Sequence, residues 1–206
     1  MQLPARLMQA LILVLVMSAC GGPRVPALPH LASEATVLAF GDSLTFGTGA
    51  NPDESYPSQL AQMTSRTVIN AGIPGETSAE GLARLPSVLD ETKPSLVILC
   101  LGGNDMLRHL DAQQMRNNLA AMINEIKSRG IPLILLGTPH PSLLNLKSDP
   151  VYEALAKENK LPIENEILAD VISDRSKKSD QIHPNARGYH EVAQAVAALM
   201  RKAGAI

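Results

Sequence analysis

The chain has 206 residues, 45% of them hydrophobic and 18% charged, which is the balance of one ordinary globular domain rather than of a disordered or fibrous chain. Eighteen Lys and Arg against 20 Asp and Glu leave a formal charge of -2, so no basic surplus exists to neutralise a phosphate backbone, and no nucleic-acid partner is expected. Aromatic residues make up 2% of the chain, with no Trp, which leaves little material for stacking bases or sugar rings and argues against an extended glycan platform.

Residues 7–17, LMQALILVLVM, form an apolar run behind Arg6 and are followed by the small residues Ser18 and Ala19, the pattern of an export signal. The run is shorter than the roughly 18 to 20 apolar residues that a membrane-spanning helix needs. Met17-Ser18-Ala19-Cys20 resembles the lipobox of bacterial lipoproteins, with Met17 where Leu is usual. That resemblance implies a signal peptide over residues 1–19, cleavage before Cys20, lipid attached to Cys20, and a protein held on a membrane surface in the bacterial cell envelope by acyl chains rather than by a helix. A soluble exported, periplasmic protein cut after Ala19 is the alternative. Residues 20–33 carry Pro23, Pro26 and Pro29 and show no helical or strand period, so they read as a semi-extended tether, with the folded domain over residues 34–206. Cys20 and Cys100, the two cysteines, can supply neither a disulfide framework nor a four-ligand zinc site.

Within the body, four short apolar runs rich in branched residues predict buried strands at residues 36–40, 67–70, 96–101 and 132–136. Segments with helical spacing occupy residues 56–65, 78–91, 111–129 and 185–202. Strands alternating with helices require parallel crossovers, and continuously apolar strands fit a sheet covered on both faces. The expected fold class is therefore α/β, a three-layer α/β/α sandwich around a central parallel sheet. In such a sheet ligands sit beyond the carboxyl ends of the strands, so the informative residues should follow each strand.

The first strand is followed by Gly41-Asp42-Ser43-Leu44, which places a hydroxyl where the chain turns. Read alone, Asp and Ser there are also what turns and helix caps use. The second strand leads into Asn70-Ala71-Gly72-Ile73-Pro74-Gly75-Glu76-Thr77 and the third into Gly102-Gly103-Asn104-Asp105. Glycine lets a backbone N–H approach a reacting atom, and an Asn amide is a neutral donor suited to a developing oxyanion, although each turn also suits plain loop geometry. The fourth strand runs into TPHPSLLNLKSDP, residues 138–150, in which Leu143, Leu144 and Leu146 either line an acyl groove or close the core. Before the last helix comes Asp180-Gln181-Ile182-His183-Pro184-Asn185, a carboxylate three residues ahead of an imidazole. A serine hydroxyl needs such a base, and the base needs a partner that fixes its tautomer and stabilises its cation. A metal pair is disfavoured, since no second cluster with ligand spacing accompanies it. The sequence also lacks the G-x-S-x-G elbow, the phosphate loop and the dinucleotide fingerprint.

Taken together, the segments at 41–44, 70–77, 102–105 and 180–185 resemble the SGNH hydrolases, the GDSL esterase/lipase family, and look closest to its bacterial thioesterase, lysophospholipase and arylesterase branch. The resemblance runs through nearly the whole folded body and implies the flavodoxin-like fold of that family. It implies Ser43 as nucleophile, His183 as base and Asp180 as its orienting acid, with Ser43, Gly75 and Asn104 as oxyanion donors and with no metal or organic cofactor. The expected activity is a serine esterase working on a small acyl ester, thioester or lysophospholipid through an acyl-enzyme, and a monomer is expected. A glycan O-deacetylase on the same site, or a noncatalytic acyl-binding lipoprotein, are the alternatives. Asp42 and Asp105 read as turn and loop-bracing carboxylates, Cys100 as a small core residue, and His109 and His140 as structural or surface residues near the site.

Overall fold

The computed structural model describes residues 25–140 and 146–206. The signal sequence, Cys20, Leu143 and Leu144 lie outside the described residues.

The body opens with strand β1, Thr36–Gly41, helix α1, Ser43–Phe46, a turn of 3-10 helix at Pro52–Glu54, and α2, Tyr56–Thr64. Then follow β2, Thr67–Gly72, α3, Ser78–Thr92, β3, Leu96–Cys100, α4, Gly103–Leu107, and α5, Ala112–Ser128. The last part comprises β4, Leu133–Leu136, α6, Pro150–Asn159, β5, Ile163–Glu164, α7, Ile167–Ser173, a 3-10 turn at Arg175–Lys177, and α8, Ala186–Lys202. The strands form one sheet in the order β2-β1-β3-β4-β5, and every pairing is parallel.

Period-two alternation divides the core into two layers. Val37, Ala39, Leu96, Ile98, Cys100, Ile134 and Leu136 face α2, α7 and α8, where Tyr56, Leu60, Val171, Tyr189, Val192 and Val196 cover them. Leu38, Phe40, Val97, Leu99, Leu133 and Leu135 face α3, α5 and α6, where Leu85, Leu89, Leu119, Ile123, Tyr152 and Leu155 pack. The architecture is the expected α/β/α sandwich. Strands covered on both faces need no polar side, which is why β1, β3 and β4 are apolar throughout.

Three features depart from the sequence expectation. β2 is an edge strand, so Thr67 and Asn70 are exposed where a buried run was expected. A fifth strand, β5, closes the other edge after α6, and α7 follows it, in a stretch where the sequence marked no element. The supposed tether also joins the body from Val25 onward: Leu31 is buried, Leu28 N–H donates to Ala203 O and Leu31 N–H to Ala205 O, each at 2.8 Å. Domain packing therefore begins ahead of residue 34.

The order reverses at β1, whose two neighbours, β2 and β3, belong to crossovers on opposite sides. Such a switch point opens a crevice beyond the carboxyl ends of the strands. Gly41, the end of β1, lets the layers meet there, since a Cβ on it would lie 2.1 Å from Cys100 O and 2.3 Å from Thr45 Oγ1.

Candidate active site

The crevice at the switch point gathers the segments singled out above. Asp42 caps α1 by accepting the Leu44 N–H at 3.0 Å, which starts the helix at Ser43. Ser43 thereby sits in the first turn just past β1, with its Oγ 3.0 Å from His183 Nε2. His183 Nδ1 lies 2.7 Å from Asp180 Oδ2. The other Asp180 oxygen accepts the N–H groups of Ile182 and His183, both at 2.8 Å, so the carboxylate is fixed by its own loop before it meets the ring. Partial burial pushes the Asp180 carboxyl up, but the bonds from the His183 ring and from the two backbone N–H groups outweigh it and hold the group below its ordinary range. A serine, an imidazole and an ionised carboxylate thus form one continuous hydrogen-bonded chain across loops 140 residues apart.

Asn104 lies on α4, directly after β3. Its Nδ2 donates to Glu76 O at 3.0 Å and approaches Asp42 Oδ2 at 3.4 Å, which links the residue after Gly75 to the residue before Ser43. One amide hydrogen is engaged at normal length while the other has only the long contact. Gly75 adopts φ +82°, in the region that glycine enters without strain, and Arg108 Nη2 holds its carbonyl at 2.6 Å. Among the described residues the N–H groups of Ser43 and Gly75 donate to no protein acceptor.

Ser43, Asn104 and His183 line a cleft of about 910 Å³. Leu44, Leu107, Leu146, Ile172 and Ile182 give it apolar lining, and Thr138 and Pro139 from the loop after β4 line it too. Leu146 lines this cleft and also packs against the core layer that α2, α7 and α8 cover. Gly75 is not part of the cleft lining; it precedes Glu76, whose carbonyl accepts the Asn104 amide. His109 and His140 do not line it either, and His140 pairs with Asp149 at 3.1 Å.

Other groups brace these loops. Asp105, 4% exposed, accepts the Ser78 N–H at 2.7 Å and the Ser78 hydroxyl at 2.6 Å, tying α4 to the start of α3. Buried Glu76 pairs with Arg84, whose Nη2 also donates to Ala71 O at 2.8 Å and to Gly41 O at 3.3 Å, and whose guanidinium stacks 4.0 Å over the Phe40 ring. Tyr152 OH donates to Leu101 O and Tyr189 OH to Thr48 O, each at 2.8 Å. Burial pushes the Cys100 thiol far up, with Asp42 adding to the rise, which leaves it a core residue without thiolate character. Burial likewise pushes Asp42 up to about 7, against the Leu44 bond and with the charges of Glu76 and Asp105 adding to it. Among the described residues no three His, Cys, Asp or Glu side chains group as a metal site, and no helix is long and apolar enough to cross a membrane.

The chain is similar to known proteins in sequence and in fold. Residues 39–191 match the GDSL-like Lipase/Acylhydrolase family. Esterase TesA of Pseudomonas aeruginosa is 34% identical over 167 residues, 76% of this chain and 83% of that protein. The protein named thioesterase 1/protease 1/lysophospholipase L1 in Escherichia coli K12 is 32% identical over 161 residues, 75% of this chain and 77% of that one. Among solved structures, the crystal structure of TesA superposes with a TM-score of 0.74 at 31% identity, over 82% of this chain and 99% of that chain.

Proposed function

The chain belongs to the GDSL-like lipase/acylhydrolase family and is an ester hydrolase, and on that premise we propose that it cleaves acyl esters or thioesters through Ser43, His183 and Asp180. The observation that carries the proposal is the His183 ring held between Ser43 Oγ at 3.0 Å and Asp180 Oδ2 at 2.7 Å. His183 Nε2 takes the hydroxyl proton as Oγ bonds to the acyl carbon, and Asp180 stabilises the imidazolium that results. The carbonyl oxygen gains charge and meets the N–H groups of Ser43 and Gly75 and the Asn104 amide, each such donor being worth roughly 2.7–4 kcal/mol in the transition state. His183 then returns the proton to the departing oxygen or sulfur, leaving an acyl ester on Ser43. Water, deprotonated by the same ring, attacks that ester and releases the acid.

The names of the relatives, an esterase and a thioesterase/lysophospholipase, support acyl esters, thioesters and lysophospholipids as the substrate range. The apolar wall of Leu107, Leu146, Ile172 and Ile182 favours an acyl chain longer than acetyl over a glycan acetate. Hydrolysis of p-nitrophenyl esters from acetyl to palmitoyl, by the full chain beside Ser43→Ala, tests the reading. Turnover should fall by a factor of about a thousand or more in the variant. Wild-type turnover in Ser43→Ala would remove the serine from its role, and a profile confined to acetyl would move the substrate to a deacetylase class.

Export and attachment to an envelope membrane through Cys20 belong to the same proposal and rest on the leader residues. Cys20→Ser should release the protein from the membrane fraction. Retention of the variant there would rule out lipid on Cys20 as the anchor.

A further inference from the structure

Large apolar side chains left in contact with solvent gather at one end of the molecule. Among the described residues they are Phe46 (51% exposed), Ile73 (45%), Leu107 (39%), Leu110 (48%) and Ile182 (38%). Single apolar side chains scattered over a surface need no explanation, but a set confined to one end does. Phe46 follows β1, Ile73 follows β2, Leu107 and Leu110 close and follow α4 beyond β3, and Ile182 precedes His183, so all five stand at the carboxyl ends of the strands. Hydrogen bonds join the segments that carry them: Ile73 N–H donates to Gly41 O at 3.0 Å, Asn70 Nδ2 to Phe46 O at 3.1 Å, and Arg108 Nη2 to Gly75 O at 2.6 Å. Leu107 and Ile182 line the cleft with Ser43 and His183, while Phe46, Ile73 and Leu110 stand outside the lining.

The charges interleaved with these side chains are unequal. Arg108 is exposed and gives its side-chain bond to Gly75 O, and Arg175 and Lys178, in the cleft lining, make no ion pair among the described residues. The carboxylates of the same segments are buried or engaged. Asp42, Glu76 and Asp105 are buried, Asp180 holds His183, Asp174 accepts the Ser176 N–H and pairs with Lys177, and Asp111 accepts the Gln114 N–H. Cations mixed among apolar side chains suit a face lying in the boundary between the headgroups and acyl chains of an anionic membrane. A mature chain starting at Cys20 does not supply the cover itself. The chain enters the described body at Val25 and packs at the amino ends of the strands, where Leu28 and Leu31 donate to Ala203 and Ala205. Cys20, five residues earlier, lies at most about 18 Å from Val25. The 17 residues of α8 alone take about 25 Å to run from the site to that end.

We propose that the end bearing Phe46, Ile73 and Leu110 docks on an anionic lipid surface, these side chains entering the acyl layer beside the cleft mouth, so that the cleft takes its ester from that surface. The inference rests on the ester-hydrolase reading and deepens it by naming where the substrate is held.

The chain contains no Trp, so one substitution supplies a single reporter of the environment. In the full chain carrying Ser43→Ala, which spares the lipid, Phe46→Trp is compared with Ser33→Trp, an exposed position at the opposite end. The vesicles are equal parts of phosphatidylglycerol and phosphatidylcholine, or phosphatidylcholine alone, with brominated acyl chains as quencher. On the anionic vesicles the emission of Phe46→Trp should move to shorter wavelength and fall to about half or less, with a weaker response on phosphatidylcholine alone and weaker quenching of Ser33→Trp. Emission of Phe46→Trp unmoved by vesicles, quenching of Ser33→Trp at least as strong, or an equal response to both vesicles would overturn the proposal. A shift that grows with protein concentration in the absence of lipid would overturn it in favour of a second copy of the chain as the cover.

A second measurement follows turnover. Phe46→Ser/Ile73→Ser/Leu110→Ser should cleave dissolved p-nitrophenyl butyrate within about twofold of the wild type, since none of the three lines the cleft, and should lose about tenfold or more on p-nitrophenyl palmitate held in anionic vesicles of diether lipid. Phe46→Leu/Ile73→Leu/Leu110→Met should keep both rates. Unchanged palmitate turnover in the serine variant, or an equal loss on both esters, would overturn the docking. Butyrate cleaved by the wild type alongside any of these failures leaves the esterase standing while the docking falls. Absence of wild-type turnover on butyrate would remove the ester-hydrolase reading and with it the delivery of ester from lipid.

Discussion

Asp42 shows how one side chain ties catalytic geometry to stability. One oxygen caps α1 through the Leu44 N–H, and the other lies 3.4 Å from the Asn104 amide, so the group touches both halves of the site without meeting substrate chemistry itself. Burial raises its folded pKa from an ordinary 3.8 to about 7. Between those values the folded protein keeps a proton that the unfolded chain has released. Stability from this group is therefore fully present below about pH 4, falls as pH rises through the window, and levels off above about 7. Asp42→Asn retains an oxygen for the Leu44 N–H and removes the ionisation. Thermal melts of both proteins from pH 4 to pH 8 should show the Tm of the variant gaining on that of the wild type as pH rises. A difference that stays constant with pH would mean that Asp42 does not titrate in this window. The bracing role read for Asp42 and Asp105 from sequence holds for both, yet the strain of burying Asp42 beside two other carboxylates arises only when the fold brings Glu76 and Asp105 near it.

At the scale of elements, what the sequence makes visible follows from length and burial. β1, β3 and β4 stand at the centre of the sheet, where both faces are covered, and so they appear as unbroken apolar runs. α3, α5 and α8 have 15, 17 and 17 residues, enough turns for an apolar stripe to repeat. β5 has two residues and α1 four, too few for any period to register. α6 and α7 bury only short stripes, such as Tyr152, Leu155 and Ala156, behind a proline-rich loop that reads as irregular. The candidate site segments were legible for a different reason: Asp180 and His183 lie three residues apart, Ser43 and Asn104 each follow a strand, and the resemblance of these segments to the SGNH hydrolases implied their roles. Their supports were not legible. Tyr152 reaches Leu101 O, 51 positions away, and Tyr189 reaches Thr48 O, 141 away, so only the folded chain shows these scarce aromatics pinning the loops after β3 and β1. The Glu76–Arg84 pair left no mark in the sequence, because the Phe40 ring and the Ala71 carbonyl that hold the arginine come from β1 and β2.

Over the whole molecule, support for the fold and the chemistry lie at opposite ends. α8 starts beside His183 and ends where Ala203 and Ala205 receive the N–H groups of Leu28 and Leu31. Its 17 residues span about 25 Å, so the entering chain docks at the amino ends of the strands, far from Ser43. Arg66 adds bonds from its guanidinium to Leu31 O at 3.0 Å and Ala32 O at 3.2 Å, and Leu31 itself is 5% exposed. Burying one leucine stabilises by roughly 1.5–3 kcal/mol and each backbone bond by roughly 0.5–1.5 kcal/mol, against the cost of ordering a short segment. A chain starting at residue 34 should then be less stable than one starting at residue 25 by roughly 2–4 kcal/mol, a drop in Tm of roughly 5–15 °C for a domain of this size. Its kcat on p-nitrophenyl esters well below the melting transition should match that of the longer chain, because nothing it loses touches the loops after β1, β3 or the 3-10 turn at Arg175–Lys177. Equal melting temperatures would show that residues 25–33 only rest on the body, and a fall in kcat at low temperature would show that the amino ends of the strands are coupled to the site through α8.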